Sequence, residues 1–264
     1  ISTKGEMILK KAEERAYIFE HAWRQVREKF YVEDLQGVDW DFYKKEYEKF
    51  LPDINNNYDF AEMLSEMLGE LNASHTGSGY RHQAENRDQT ASLGVLYDYA
   101  YQGSGLRIAE VLVGGPLDKA SSKVKAGHIL EKIDGRELTM NLDFYQLLNR
   151  RAGENVLLSL FDPESKKRWE EVVKPISLGA ENELLYKRWV ESRRAETEKL
   201  SDGKLGYVHV RGMNDPSMRT VVEEALGRHL GAEALIVDTR FNGGGNLHDI
   251  LSDFLTGKKY LDII

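Results

Sequence analysis

Three consecutive glycines, Gly243–Gly245, are the residues of this sequence best suited to hold a negative charge. They follow the apolar run Ala234–Val237 and precede an amphipathic pattern over Leu247–Leu255, which predicts a strand, a tight loop and a helix in series. Backbone without side chains lets a ligand approach the N–H groups, and the helix N-terminus adds partial positive charge. The loop suits the oxyanion of an acyl transfer. It suits a phosphate less well, because neither common glycine-rich phosphate-binding motif is present. A simple turn also explains it.

A second candidate group is Ser74-His75, on a polar, glycine-bounded stretch just after a predicted helix. A histidine in such a loop is suited to general-base chemistry, and the adjacent serine offers it a hydrogen-bond partner. One loop histidine among the seven in the chain is weak evidence by itself.

Composition restricts the function classes. The net charge of −8 argues against nucleic acid as the main partner, and no stretch approaches the length of apolar sequence that spans a membrane. There is no cysteine and no zinc-type histidine spacing, so we expect neither a metal nor another cofactor. The first residue is Ile1, so we expect a fragment whose targeting signal, if any, was removed; the compartment stays open, cytoplasmic or exported.

The first 88 residues predict a helical subdomain. Apolar residues at helical spacing from Glu6 to Phe30, beginning with Ile8, indicate a long first helix. Asp39 is placed to cap a second helix that ends before Pro52, and a third helix begins near Tyr58.

Residues 89–178 predict a small β-barrel with two helices, because short strand patterns alternate with glycine-rich turns. One short helix is expected after Pro116 and another after a cap at Asp143. Asp134-Gly135 predicts a tight turn between strands.

Residues 179–264 predict a charged helix over Glu181–Leu200, a strand over Gly203–Val210, a helix capped by Ser217, and the buried strand Ala234–Val237. Val221 and Leu226 are among the residues expected to face inward from the capped helix. This order implies a parallel sheet whose carboxyl-terminal edge carries the glycine loop.

The middle segment resembles the PDZ domains found inside bacterial and archaeal proteases. The resemblance is carried by Leu93-Gly94-Val95, by Val111–Ala120 and by Lys125–Gly135. It implies that backbone amides beside Leu93, Gly94 and Val95 receive a peptide's terminal carboxylate while the peptide adds as a strand. A spacer or gate is the alternative.

Over nearly its whole length the chain resembles the carboxyl-terminal half of tricorn-type proteases, in the carboxyl-terminal processing serine peptidase group. The motifs are Ala73-Ser74-His75, the PDZ-like insertion, Tyr186-x-x-Trp189-Val190, Gly206-Tyr-Val-His209 and Asp238-x-Arg240-x-Asn242-Gly-Gly-Gly245. The resemblance implies an α+β multidomain fold, with residues 179–264 as the incomplete first part of an α/β catalytic domain of the crotonase/Clp-like type.

The resemblance also implies roles for the candidate residues. His75 becomes the base that removes the nucleophile's proton, and Ser74 part of the polar relay that orients it. The amides of Gly243, Gly244 and Gly245 hold the developing oxyanion, and Asp238 and Arg240 serve as framework.

In that family the nucleophilic serine and a late glutamate follow the glycine motif and its helix, whereas here the only later serine is Ser252, inside a helical pattern. We therefore predict that these 264 residues do not hydrolyse peptides alone, and that an intact parent acts on short or unfolded polypeptides, with a homo-oligomer as an open option. A PDZ-based peptide-binding scaffold or pseudo-peptidase is the alternative, and an acyl-CoA enzyme is a weaker third.

Overall fold

The computed structural model describes residues 8–82, 84–139 and 141–257, and the chain divides into two compact units, residues 1–87 and 88–264. None of the six α-helices in the described part has the length and apolar character that crossing a bilayer requires. The helices and strands of the described residues confirm a mixed α/β fold class. The three-part division at 88 and 178 stays a prediction.

The described part of the first unit contains three α-helices, α1 (Lys11–Lys29), α2 (Trp40–Glu48) and α3 (Asn57–Gly69), and two short 3₁₀ helices, Leu35–Gly37 and Leu51–Asp53. The predicted start of the first helix at Glu6 lies outside the described residues. Ile8 precedes α1 and is exposed, so its predicted place on the buried face was wrong. Asp39 caps α2 as predicted, since its carboxylate accepts a hydrogen bond of 2.9 Å from the Phe42 N–H.

The core of this unit is built on two tryptophans. The Trp23 indole donates a hydrogen bond of 3.1 Å to the Trp40 carbonyl, and the Trp40 indole donates one of 3.0 Å to the Trp23 carbonyl. This reciprocal pair satisfies two buried donors and joins α1 to α2. Met67 and Leu71, at the end of α3, are fully buried against the same core, so the backbone entering the Ser74-His75 loop is anchored.

The second unit begins with two antiparallel sheets. Their strands are β1 (Ala91–Ser92), β2 (Val95–Tyr97), β3 (Leu106–Val111), β4 (Ile129–Ile133), β5 (Arg136–Glu137), β6 (Val156–Asp162), β7 (Lys167–Val173) and β8 (Ile176–Ser177). The main sheet has the order β2-β3-β4-β6-β7, β5 pairs with β4, and β1 pairs with β8. Asp134 and Gly135, at φ 47° and 78°, make the predicted two-residue turn between β4 and β5.

The two helices predicted for residues 89–178 are only partly present. Asp143 caps the 3₁₀ helix Phe144–Leu148, but the segment after Pro116 consists of turns, so the helix predicted there was wrong. The turn at Gly114-Gly115 is held instead by Asp118, whose carboxylate accepts the Gly114 N–H at 2.7 Å. Asp118 thus satisfies a loop amide, as a capping residue would, without a helix following it.

The remaining described elements of this unit are α4 (Leu178–Leu200), β9 (Leu205–His209), α5 (Asp215–Glu223), the π-helix Glu224–Arg228, β10 (Ala234–Asp238) and α6 (His248–Thr256). The predicted parallel pairing is confirmed, with Ala234 opposite Leu205 and Asp238 opposite His209. Three details were wrong: Asn214 rather than Ser217 caps α5, Leu226 is exposed, and β10 is only partly covered. Ser217 lies in the first turn, where its own N–H bonds to the Asn214 side chain at 3.1 Å.

Candidate active site

The glycine loop lies at the carboxyl end of the parallel strand pair, and its three glycines differ in their surroundings. The Gly244 N–H donates to the Asn242 Oδ1 atom at 2.7 Å. Within the described part of the chain, the N–H groups of Gly243 and Gly245 have no hydrogen-bond partner, and both residues are exposed. Two of the three predicted oxyanion donors are thus available to a ligand, whereas the third is already engaged.

Close backbone contact explains one of the glycines. Gly245 forms a parallel bridge with Met213 and has φ 134°, and a Cβ atom there would overlap the Met213 carbonyl oxygen. Gly243 has no positive φ and open space at its Cβ position. The simple-turn explanation therefore accounts for glycine at 245 and leaves glycine at 243 without a steric reason.

A charged framework fixes the strand that enters the loop. The Arg240 guanidinium donates to the Asp238 carboxylate, with its Nε 2.9 Å from Oδ1, and the Tyr207 hydroxyl donates to Oδ2 at 2.7 Å. These bonds, the Arg240 one above all, hold the pKa of Asp238 well below its usual range. Burial and the bond to Asp238 raise the pKa of Tyr207 to about 12, so both partners keep their bonding forms at neutral pH.

His209 connects the loop to α4. Its Nε2 lies 2.8 Å from the Arg240 carbonyl oxygen, and its Nδ1 lies 2.9 Å from the Tyr186 hydroxyl. A carbonyl only accepts, so Nε2 carries a proton, and in the neutral imidazole Nδ1 then accepts from the Tyr186 hydroxyl. The Trp189 ring meets the buried imidazole edge-to-face at 4.8 Å. His209 is thus a positioning residue for the backbone that precedes the glycine loop.

Sequence reasoning did not assign His209 or Tyr207 a role. The signal that could have found them is the alternation of β9, which places residues 207 and 209 on one face of the strand. The Tyr186-x-x-Trp189 spacing indicates that both rings lie on one face of α4, because residues three apart share a helix face, and this is the face that contacts His209.

The Ser74-His75 loop belongs to the first unit. Both side chains are exposed, and within residues 8–82 neither the His75 imidazole nor the Ser74 hydroxyl makes a hydrogen bond, so the expected bond between them is absent. His75 has φ 62°, a conformation that costs a non-glycine residue free energy and that is enriched at functional sites. Their catalytic roles stay predictions.

Leu93, Gly94 and Val95 lead into β2 in the second unit. Gly94 has φ 67°, and a Cβ there would lie 2.6 Å from the Pro116 Cδ, so the position requires glycine. Its N–H donates to the Ser92 hydroxyl oxygen at 2.9 Å. One amide predicted to receive a peptide carboxylate is therefore already bonded. No group of three or more potential metal ligands occurs among the described residues.

Comparison with known proteins finds two protein families that this chain resembles. The family described as Tricorn protease C1 domain matches residues 11–69, and the family described as Peptidase family S41 matches residues 204–260. The S41 segment contains β9, β10, the charged framework and the glycine loop. The chain is thus similar to tricorn-type proteases, with one segment that matches the C1 domain and one that matches peptidase family S41, and these matches confirm the tricorn-type resemblance found in its motifs.

Individual relatives agree. The chain is 28% identical over 260 residues to the Tricorn protease homolog 1 of Streptomyces coelicolor, a match that covers 92% of this chain and 23% of that relative. It is 24% identical over 258 residues to the Tricorn protease of Thermoplasma acidophilum, a match that covers 94% of this chain and 23% of that relative. The crystal structure of the tricorn protease superposes with a TM-score of 0.82 at 20% identity, over 94% of this chain and 24% of that one, which shows the shared fold. The chain spans about a quarter of the curated relatives it matches, between 21% and 28%.

Proposed function

We propose that this chain is part of a serine-type peptidase. In this proposal the intact parent protein hydrolyses peptide bonds of short or unfolded polypeptides. The observation that carries this proposal is the glycine loop, with two available N–H groups, inside the segment that matches peptidase family S41. Available amides at a fixed backbone position are what an oxyanion requires, because they stabilise charge without reorganising during the reaction.

In this proposal His75 is the general base, and Ser74 belongs to the relay that orients it. The exposed imidazole is accessible to a nucleophile's proton, and the positive φ of His75 is the type of local strain found at reactive positions. Gly243 and Gly245 supply the amides for the oxyanion, and Gly244 holds the loop through Asn242.

The finer fold assignments are part of the same proposal. Residues 89–178 form a PDZ-like unit in which Leu93, Gly94 and Val95 lie beside a bound peptide; the open edge of β2 supports this. Residues 179–264 form the first part of a crotonase/Clp-like domain. The parallel β9–β10 pair with the loop at its carboxyl end supports that assignment.

We further propose that the 264-residue polypeptide has no peptidase activity alone. Ser252, the only serine after the glycine loop, lies inside α6 and not on a turn suited to a nucleophile.

Labelling with a fluorophosphonate tests both statements. We expect the intact parent to be labelled at one serine outside these 264 residues, and the 264-residue polypeptide to stay unlabelled. Label on a serine of the 264-residue polypeptide would overturn the proposed inactivity. An unlabelled parent that nevertheless cleaves peptides would overturn the serine mechanism.

A further inference from the structure

A groove of about 430 Å³ lies in the second unit, beside the predicted peptide-binding segment. Strand β2, the 3₁₀ helix Phe144–Leu148 and the first turns of α4 form its walls. Leu148, Leu178 and Leu185 contribute apolar surface, while Tyr97, Tyr99 and Tyr145 contribute aromatic rings. The groove is therefore mostly apolar, with few polar groups, as ligand-binding pockets commonly are.

Strand β2 leaves one edge of the main sheet open. It pairs with β3 on one side, and on the other side no strand of the described chain pairs with it. An open strand edge next to a groove can accept an extended peptide as an added strand, with pockets for alternate side chains.

The end of the groove that would hold a peptide carboxylate already contains one. The Ser92 hydroxyl accepts the Gly94 N–H at 2.9 Å and donates to the Glu181 carboxylate. Glu181 lies in the first turn of α4, where the helix N-terminus stabilises negative charge. A peptide's terminal carboxylate would meet like charge there, and one of its expected donors would be occupied.

Glu181 instead lacks a partner of opposite charge. No lysine, arginine or histidine in the described part of the chain forms an ion pair with it. The Tyr97 hydroxyl is buried and makes no hydrogen bond with any described residue. The Tyr99 and Tyr145 hydroxyls lie 3.1 Å apart at the same groove. An unpaired carboxylate among tyrosine rings and acceptor oxygens complements a cation.

We propose that this groove binds an extended polypeptide segment through a lysine or arginine side chain that pairs with Glu181, and that it does not select a free carboxyl terminus. The inference rests on the proposed peptide-binding role of residues 89–178 and names the class of ligand. It does not depend on the peptidase chemistry, so its failure would leave the fluorophosphonate result unaffected.

Calorimetric titration of the 264-residue polypeptide tests the proposal with four synthetic peptides of alternating valine and threonine. The first is acetylated and amidated and has one central arginine. The second replaces arginine by citrulline, which has nearly the same shape and no charge. The third and fourth are the citrulline peptide with a free carboxyl terminus and with a free amino terminus.

We expect the arginine peptide to bind about tenfold more tightly than the citrulline peptide, which corresponds to about 1.4 kcal/mol. Glu181→Gln should remove this preference, because the amide keeps the shape and the bond to Ser92 but loses the charge. Glu196→Gln, an exposed change on the same helix, should preserve it. Glu181→Lys should reverse the preference, so that the free-carboxylate peptide binds best.

Three results would overturn the proposal. They are equal binding of the arginine and citrulline peptides, tightest binding by either free-terminus peptide to the unmodified chain, and no binding by any of the four. Circular dichroism of each variant establishes that it is folded, and the reversal by Glu181→Lys gives a gain of binding that misfolding cannot produce.

Discussion

Single residues in the glycine loop have separate tasks, although the sequence presents them as a uniform triplet. Gly245 allows the loop to lie against the Met213 backbone, and Gly244 gives its N–H to Asn242. Gly243 has neither task within the described structure. A requirement for glycine at 243 would therefore come from the ligand, whereas the requirement at 245 comes from the fold.

Alanine substitutions separate these two requirements. Gly245→Ala should lower the free energy of unfolding by about 1–3 kcal/mol, because the new Cβ overlaps a carbonyl oxygen at a φ that disfavours side chains. Gly243→Ala should change it by less than about 0.5 kcal/mol. Urea unfolding of both variants measures the difference. Equal stability losses would show that the loop conformation differs from the one described.

Residue-level sequence predictions succeeded where the determinant is local. Asp39 and Asp143 cap helical segments because the side chain and the amide it accepts are two or three residues apart. The prediction that Ser217 caps α5 was wrong because Asn214, three residues earlier, is an equally good capping residue. The helix therefore begins before the proline at position 216. The bond between Ser92 and Glu181 joins residues 89 apart in the chain, so no local pattern could indicate it.

At the scale of elements, one buried carboxylate joins two parallel strands to the loop that follows. Asp238 ends β10, accepts from Tyr207 on β9 and pairs with Arg240 in the loop. The Asp238 side chain is only 6% exposed, so the carboxylate is shielded from water, whereas the Arg240 side chain is 60% exposed. The parallel pairing itself followed from the strand–helix–strand order, but the partial exposure of β10 did not, because an apolar run does not reveal what covers it.

Asp238→Asn should lower the free energy of unfolding by about 2 kcal/mol at neutral pH, because it removes the charge that holds Arg240 and Tyr207. The folded-state pKa of Asp238 is depressed, so its stabilisation is present above the unfolded-state value of about 4 and is lost as the pH falls below it.

The gap in stability between the unmodified chain and Asp238→Asn should therefore narrow as the pH is lowered from about 4 to about 2. Urea unfolding across this range measures the gap, with the exposed Asp202→Asn as control. A gap independent of pH would contradict the assigned ion pair.

At the scale of the whole molecule, the chain has separate cores in its two units. The Trp23–Trp40 core lies within residues 1–87, and the cores around the antiparallel sheet and around β9–β10 lie within 88–264. Helical periodicity followed by strand patterns indicated helices at the start of the chain and strands after them, whereas the three-part division at 88 and 178 stays a prediction. The proposal that His75 of one unit and the glycine loop of the other serve one reaction stays a prediction, because local sequence patterns do not encode contacts between distant segments.

Separate cores predict separate folding. Residues 8–87 and 88–257, produced as two polypeptides, should each unfold cooperatively, since each buries its own apolar side chains. Circular dichroism should show that their summed spectra match the spectrum of the joined chain. An unfolded 8–87 polypeptide would contradict the division at Arg87.

His75 is proposed as the general base of a serine peptidase, and the turnover of an intact parent protein measures this role. His75→Ala should reduce kcat for a peptide substrate by about 10⁴- to 10⁶-fold, as loss of the base does in other serine peptidases. His82→Ala, which changes another exposed histidine of the same unit, should leave kcat within about twofold. Retained activity in His75→Ala would contradict the account.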